Sequence, residues 1–355
     1  MRSSLFLTIL FSLAFLISFG SDETRLKHDE EVVAEGELNT GAMIIDHIID
    51  HHDWHIMDIG HTHVTIPLPV ILIDNGKLVV FMSSKFEHGH ATYKGYKLET
   101  SGPNKGKIVN TETGEIPLDL SITKNVLALF ISIFILLWVF ISIANRYKKN
   151  PNTAPKGMQS LLEPLIIFIR DDIAKASIGE KKYEKFMPYL LTLFFFIFFN
   201  NLFGLIPFFP FGANLTGNLA ITGVMAVFTF VITTFIGNKN YWVHIINTPG
   251  VPWWLKIPVP LMPVVEIMGV FTKPFVLMVR LFANMSAGHI IVLGFIGLIF
   301  IFGKINVGLG YGVSVVSVGF SVFMIILDLL VSFIQAYVFT LLSALYFGMA
   351  TEEHH

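Results

Sequence analysis

The chain has 355 residues, 53% of them hydrophobic, with 34 phenylalanines and only 14% charged residues. A soluble globular domain carries about 25% charge, so this composition excludes one and points to a polytopic membrane protein. A formal net charge of −2 leaves no basic surplus for nucleic acid, and the absence of cysteine excludes disulfides, thiolate metal sites and cysteine nucleophiles.

Residues 1–20 combine one basic residue, Arg2, with an apolar stretch from Leu5 to Phe19 and small residues at Ser18 to Ser21. That is the build of a cleavable secretory signal, with an uncleaved anchor as the alternative. Residues 21–120 then form a polar extension, expected to be small and mixed α/β, in which runs such as Lys77-Leu78-Val79-Val80-Phe81 suggest short strands between Gly and Asn turns. Its Asp/His-rich stretch holds His47, His51, His52, His55, His61 and His63, and His47, His51 and His55 have the spacing of one helical face. A metalloenzyme could be built on such a cluster, but no H-E-x-x-H occurs, and a solvated His/Asp surface is the plainer reading; no cofactor is expected.

The membrane domain is assigned to residues 121–355. Its first span is predicted over Asn125–Ala144, and Arg146, Lys148, Lys149 and Lys156 follow at once, which places that end in the cytoplasm and the extension outside. From Gly157 to Lys185, Leu161, Leu162, Leu165, Ile166, Ile169 and Ile173 alternate with Arg170, Asp171, Asp172 and Lys175 at helical spacing, predicting an amphipathic helix at the cytoplasmic surface. Spans are expected over Met187–Pro207 and Leu219–Ile236, joined by the uncharged loop Phe208–Asn218. Lys239 and Lys256 then mark the cytoplasmic side again. The two last apolar segments, Pro263–Phe302 and Val313–Met349, would each reach roughly 55–60 Å as helices, about twice a perpendicular span. They are therefore expected to be strongly tilted. The fold class is all-α and polytopic, with about five membrane-embedded helices, the surface helix and the extension.

Arg280 stands alone in the uncharged run from Phe275 to Gly303. A permanent cation at that depth costs about 2.5–3.5 kcal/mol on insertion scales, so it faces protein or water and marks a functional site. Asn284 lies one turn on, along the same stripe, whereas His289 points nearly opposite. In the last segment Asp328, Ser332 and Gln335 form a polar stripe at i, i+4 and i+7. If the two helices pack antiparallel, His289 is the natural partner for Asp328, and the pair could exchange a proton. Plain structural pairing is the competing reading. Glu266 and Lys273, spaced i, i+7, also share a face, which serves interfacial anchoring as readily as a proton path.

These residues resemble subunit a of the F-type ATP synthase, the membrane stator beside the rotating c-subunit ring. The most specific element is Arg280-Leu281-Phe282-Ala283-Asn284-Met285-Ser286-Ala287-Gly288. Glu266, Lys273-Pro274, Asn201-Leu202-Phe203-Gly204-Leu205-Ile206-Pro207 and the ending from Gln335-Ala336-Tyr337 to Glu353-His354 support it in the right order. The likeness covers about residues 120–353. It implies that Arg280 is the family's essential arginine, with Asn284 and Gln335 beside it and Glu266 near a cytoplasmic half-channel. It also implies protons as the transported ion, with the c-ring, peripheral-stalk b subunits and the bilayer as partners. The implied place is a bacterial inner membrane, with the extension outside and the C-terminus in the cytoplasm. Compared with the bacterial pattern, His289 and Asp328 exchange the acid and the base between the two helices, and Gly204 stands where that pattern has an aspartate. In such a subunit two half-channels meet only through a carboxyl on the ring, and the chain is not itself an enzyme. One charge crossing the membrane yields about 2.3 kcal/mol per 100 mV, which becomes rotation only if leakage is blocked. The alternative from another class is an ion-coupled secondary transporter, which predicts paired half-repeats that the sequence lacks.

Overall fold

The computed structural model describes residues 50–59, 62–100, 102, 104–150, 154–206, 210–246 and 261–352. The expected signal segment, His47, His61 and Lys256 lie outside these residues.

The described part of the extension is built from three small sheets. Strands β1 (Asp53–Ile59) and β2 (Thr62–Pro67) pair antiparallel with Trp54 opposite Ile66. Strands β3 (Pro69–Asp74), β4 (Lys77–Met82) and β7 (Leu118–Asp119) form a sheet in the order β4-β3-β7, and β5 (Tyr96–Leu98) pairs with β6 (Ile108–Asn110). The β3–β4 hairpin turns on Asn75-Gly76, both at positive φ (48° and 76°), the geometry that a two-residue hairpin turn requires. Val70, Leu72, Phe81, Phe86, Tyr96 and Ile108 form the core beneath it. Among the described residues the extension contains strands and one 3-10 stretch, Ser83–Gly89. His51 and His55 share no helix. His55 lies in β1, where pairing with the Thr- and Val-containing β2 outweighs the helical spacing.

Helix α1 (Lys124–Lys149) follows the extension without a linker. The ladder continues past β7, with Leu120 N–H donating to the Ile71 carbonyl and Ile122 N–H to that of Pro69. Asp50 then caps the helix: its carboxylate accepts from Asn125 N–H at 3.0 Å and from the Thr123 hydroxyl at 2.7 Å. A negative group at that position also suits the helix dipole. At the other end Arg146, Lys148 and Lys149 occupy the last turn, which is why the helix outruns the predicted Ala144.

His52 and Asp119 close the same joint at 2.7 Å, and Asp119 also accepts from Ser121 N–H at 2.9 Å. Burial raises the Asp119 carboxyl, but the hydrogen bonds from His52 and Ser121 outweigh it and hold the group below its ordinary value. Because the folded carboxyl titrates below its unfolded value, the pair stabilises the joint at neutral pH. That contribution falls away as pH drops from about 4 through the lowered value. Asp119→Ala, which leaves buried His52 short of a partner, is expected to cost about 1–3 kcal/mol. Limited proteolysis of the extension in the intact protein should show faster cleavage at pH 7 for the variant and a weaker dependence on acid; equal cleavage rates would rule out a stabilising pair.

Helix α2 (Met158–Phe168) continues through a π-helical turn, Ile169–Lys175, and a short turn, Ala176–Ile178. Its Leu162, Ile169 and Ile173 are buried in the bundle core, so the expected surface helix is bonded into the domain by its apolar stripe. Spans α3 (Tyr183–Leu205) and α4 (Leu219–Ile236) follow, then the short α5 (Lys239–Ile246). Helices α6 (Leu261–Ile305) and α7 (Val307–Thr351) have 45 residues each, about 68 Å at 1.5 Å per residue. Together with α1, α3 and α4 they make, among the described residues, five helices long and apolar enough to cross a membrane.

Both long helices exceed their predicted limits, because the glycines after residue 302 do not break them. Asn306 caps α7 through Gly308 N–H at 2.8 Å, and Gly310 packs flat on Gly303, where an added Cβ would fall 2.7 Å from the Gly303 Cα. Such small residues let two helices approach closely.

Phe186, Phe194 and Phe198 of α3 hold α7 through Phe333 and Phe347, while Tyr189, Thr229 and Ser343 link α3, α4 and α7 by hydroxyl contacts of 2.8 and 3.5 Å. The last turn of α7 is held from outside. Lys182 donates to the Thr351 carbonyl at 2.8 Å, Asn238 N–H to that of Ala350 at 2.9 Å, and Gly348 lies against the Ser177 carbonyl. Among the described residues, hydrogen bonds and ring contacts of α7 to helices other than α6 fall between Ser332 and Thr351. The C-terminal end of α7 thus shares one side with residues 177–182 and α5, and the extension shares the other side with the loop 210–218.

Candidate functional site

The α6–α7 hairpin fixes a register. Gly303 meets Gly310, Phe295 stacks on Phe320, Gly288 meets Asp328, and Lys273 Nζ lies 5.4 Å from the Tyr346 ring centre. The sums of these paired numbers stay nearly constant, as they must for antiparallel neighbours. Gln335 is therefore level with Leu281–Asn284, and His289 is level with Asp328.

On α6 the buried stripe is Leu277, Leu281 and Met285. Arg280 and Asn284 flank that stripe at exposed positions, and Arg280 has no hydrogen-bond or ion-pair partner among the described residues. Gln335 is buried on α7, 6% exposed, so it comes level with Asn284 without sharing its face.

Near residue 288 four segments converge. The Asp328 carboxylate covers Gly288 so closely that a Cβ there would lie 2.6 Å from Oδ1 and 2.8 Å from Oδ2, and only glycine leaves it room. His289 points to α3, its Nε2 3.6 Å from where a Gly204 Cβ would stand; the Ala213 carbonyl is equally far from that point. Asn201, one turn before Gly204, donates to the Ser332 carbonyl at 3.4 Å and accepts from the Thr216 hydroxyl at 2.6 Å. The Ser332 hydroxyl donates to the Asp328 carbonyl at 2.7 Å, and the Ser286 hydroxyl to the Gly217 carbonyl at 3.3 Å. Asn200 Oδ1 and Asn214 Nδ2 are buried without protein partners among the described residues. An acceptor and a donor of that kind suit water.

Sequence reasoning named His289 and Asp328 but missed Thr216, Asn214 and Ser286 as part of their surroundings. The uncharged loop offered no signal except its lack of charge. Glu266 and Lys273 lie at the far end of α6. Lys273 helps line a small cavity with Thr229, Thr233, Tyr241 and Tyr346, and burial together with the Glu266 charge pushes the Tyr241 hydroxyl above its ordinary range. Among the described residues no group of three His, Asp or Glu side chains is gathered to hold a metal.

Comparison with known proteins decides which family this arrangement serves. The family model described as ATP synthase A chain matches residues 126–348. The chain belongs to the ATP synthase subunit a family. It is 45% identical over 245 residues to ATP synthase subunit a of Chloroherpeton thalassium, covering 66% of this chain and 69% of that one. The identity is 47% over 239 residues to ATP synthase subunit a 2 of Prosthecochloris aestuarii, with the same two shares. With ATP synthase subunit a of an Anaeromyxobacter species it is 39% over 279 residues, 75% of this chain and 60% of that one. A second family model, a domain of unknown function (DUF8433), matches residues 43–127, so the extension has relatives of its own. Membership of the subunit a family makes this a multi-pass membrane subunit of the F-type ATP synthase and removes the secondary-transporter alternative.

Proposed function

We propose that the chain is the proton-channel stator of the F-type ATP synthase, a non-catalytic subunit that couples proton flow to rotation of the c-subunit ring. The observation that carries this reading is Arg280, a permanent cation with no hydrogen-bond or ion-pair partner among the described residues, exposed on a 45-residue apolar helix. A guanidinium there favours the ionised form of any carboxyl that passes it and forces proton release. His289 and Asp328, level with each other, serve the outer half-channel; Glu266 and Lys273 serve the cytoplasmic one. Arg146, Lys148 and Lys149 in the last turn of α1, with Lys156 beyond it, favour an extension outside a bacterial inner membrane and a C-terminus in the cytoplasm. Peripheral-stalk b subunits then bind away from the ring face.

Because the chain has no cysteine, single replacements can be tested without background. Asn284→Cys should form a disulfide with a cysteine placed on the outward helix of a ring subunit, whereas Leu281→Cys, on the buried stripe, should not. Equal yields at the two positions, or none at Asn284, would refute the ring-facing assignment.

A further inference from the structure

The extension is joined to the membrane domain at two places, and the second reaches the proton site. Trp54 is 4% exposed, and its cross-strand partner Ile66 packs beside it. Together they meet Ala128, Leu127 and Leu129 of α1 and Ala213 and Leu215 of the loop before α4. That loop runs on into the membrane domain. Its Ala213 carbonyl backs Gly204, its Thr216 hydroxyl binds Asn201, and its Gly217 carbonyl binds Ser286 on α6. Each of these contacts lies within four residues of His289 or on the α3 face that His289 approaches. The other join, through Asp50 and β7, fixes the sheets to the start of α1, so the tryptophan is carried by a rigid support.

We propose that the β-rich extension braces the outer proton path, and that Trp54 is a positioning residue that clamps the loop 210–218 against Gly204, Asn201 and Ser286. Clamped in this way, the loop holds the Asn200 and Asn214 amides and the His289 ring at fixed separations. Loosening it displaces a proton-carrying group without removing one. The proposal rests on the reading of His289 as part of the outer half-channel.

The test uses the intact complex reconstituted in vesicles, with passive proton conduction through the membrane sector measured against outer pH. Trp54→Ala is expected to lower conduction by about tenfold, the scale of loss from a small misplacement, and to shift its pH profile. Trp54→Phe, which keeps a ring in the pocket, should restore most of it. Leu215→Ala, which opens the same contact from the loop side, should reproduce the alanine effect even if Trp54→Ala assembles poorly. Unchanged conduction in both alanine variants overturns the proposal. So does a loss without a shifted profile that phenylalanine fails to rescue, since that describes general destabilisation. His289→Ala separates the two levels: if it leaves conduction intact, the underlying path is wrong; if it blocks conduction while Trp54→Ala does not, only the brace is wrong.

Discussion

Arg280→Ala is expected to abolish ATP-driven proton pumping in inverted vesicles while the complex still assembles, because the side chain is exposed beside the buried Leu277–Leu281–Met285 stripe and is not part of it. Assembly survives since no protein partner among the described residues is left behind. Pumping fails because a passing carboxyl then meets no fixed cation and keeps its proton. Arg280→Lys should rescue little, for an ammonium can give up its proton when desolvated and lacks the planar fork. Normal pumping by the alanine variant would end the stator reading.

A second large effect is expected at His289 and Asp328. Removing either leaves a titratable group in a low-dielectric site without its counterpart, so His289→Ala and Asp328→Ala should each cut passive proton conduction severely. The double exchange His289→Glu with Asp328→His restores the order of acid and base in the bacterial pattern and should recover a measurable part of the flux. Gly288 sets the limit on that recovery. The cleft above it fits a carboxylate closely, and the larger imidazole must shift to occupy it. If the double variant conducts no better than the worse single one, the two residues do not act as a pair, and His289 is a packing residue against α3.

Arg280 was legible in the sequence because its signal is local: one charge in an apolar run needs no knowledge of what packs against it. The α4 span was equally plain, and Leu219–Ile236 matches its predicted limits. The contacts among Asn201, Thr216, Ser286 and Ser332 were not legible, since small polar residues carry no periodic signal and meet only after four separate segments pack. The predicted limits at Phe302 and Val313 left out Gly308, Gly310 and Gly312 for a related reason. A glycine cluster reads as a break unless one knows that Gly303 stands opposite to receive it. In the extension, the spacing of His51 and His55 gave no sign that His55 belongs to a strand paired with β2.

The α6–α7 hairpin is fastened unevenly, and this gives it the mechanics of a cantilever. From Ser332 to Thr351 it is clamped by α3, α4 and the turn at 177–182, and the clamp is tightest where Lys182 and Asn238 hold the final carbonyls. Beyond Asp328, among the described residues, the two helices lean on each other, out to the glycine contact at 303 and 310. A sideways load from a moving neighbour would bend the free tip first and reach the clamped root as torque. Arg280 sits toward the root, where deflection is least, so under such a load the cation would keep its position while the outer length of the hairpin yields.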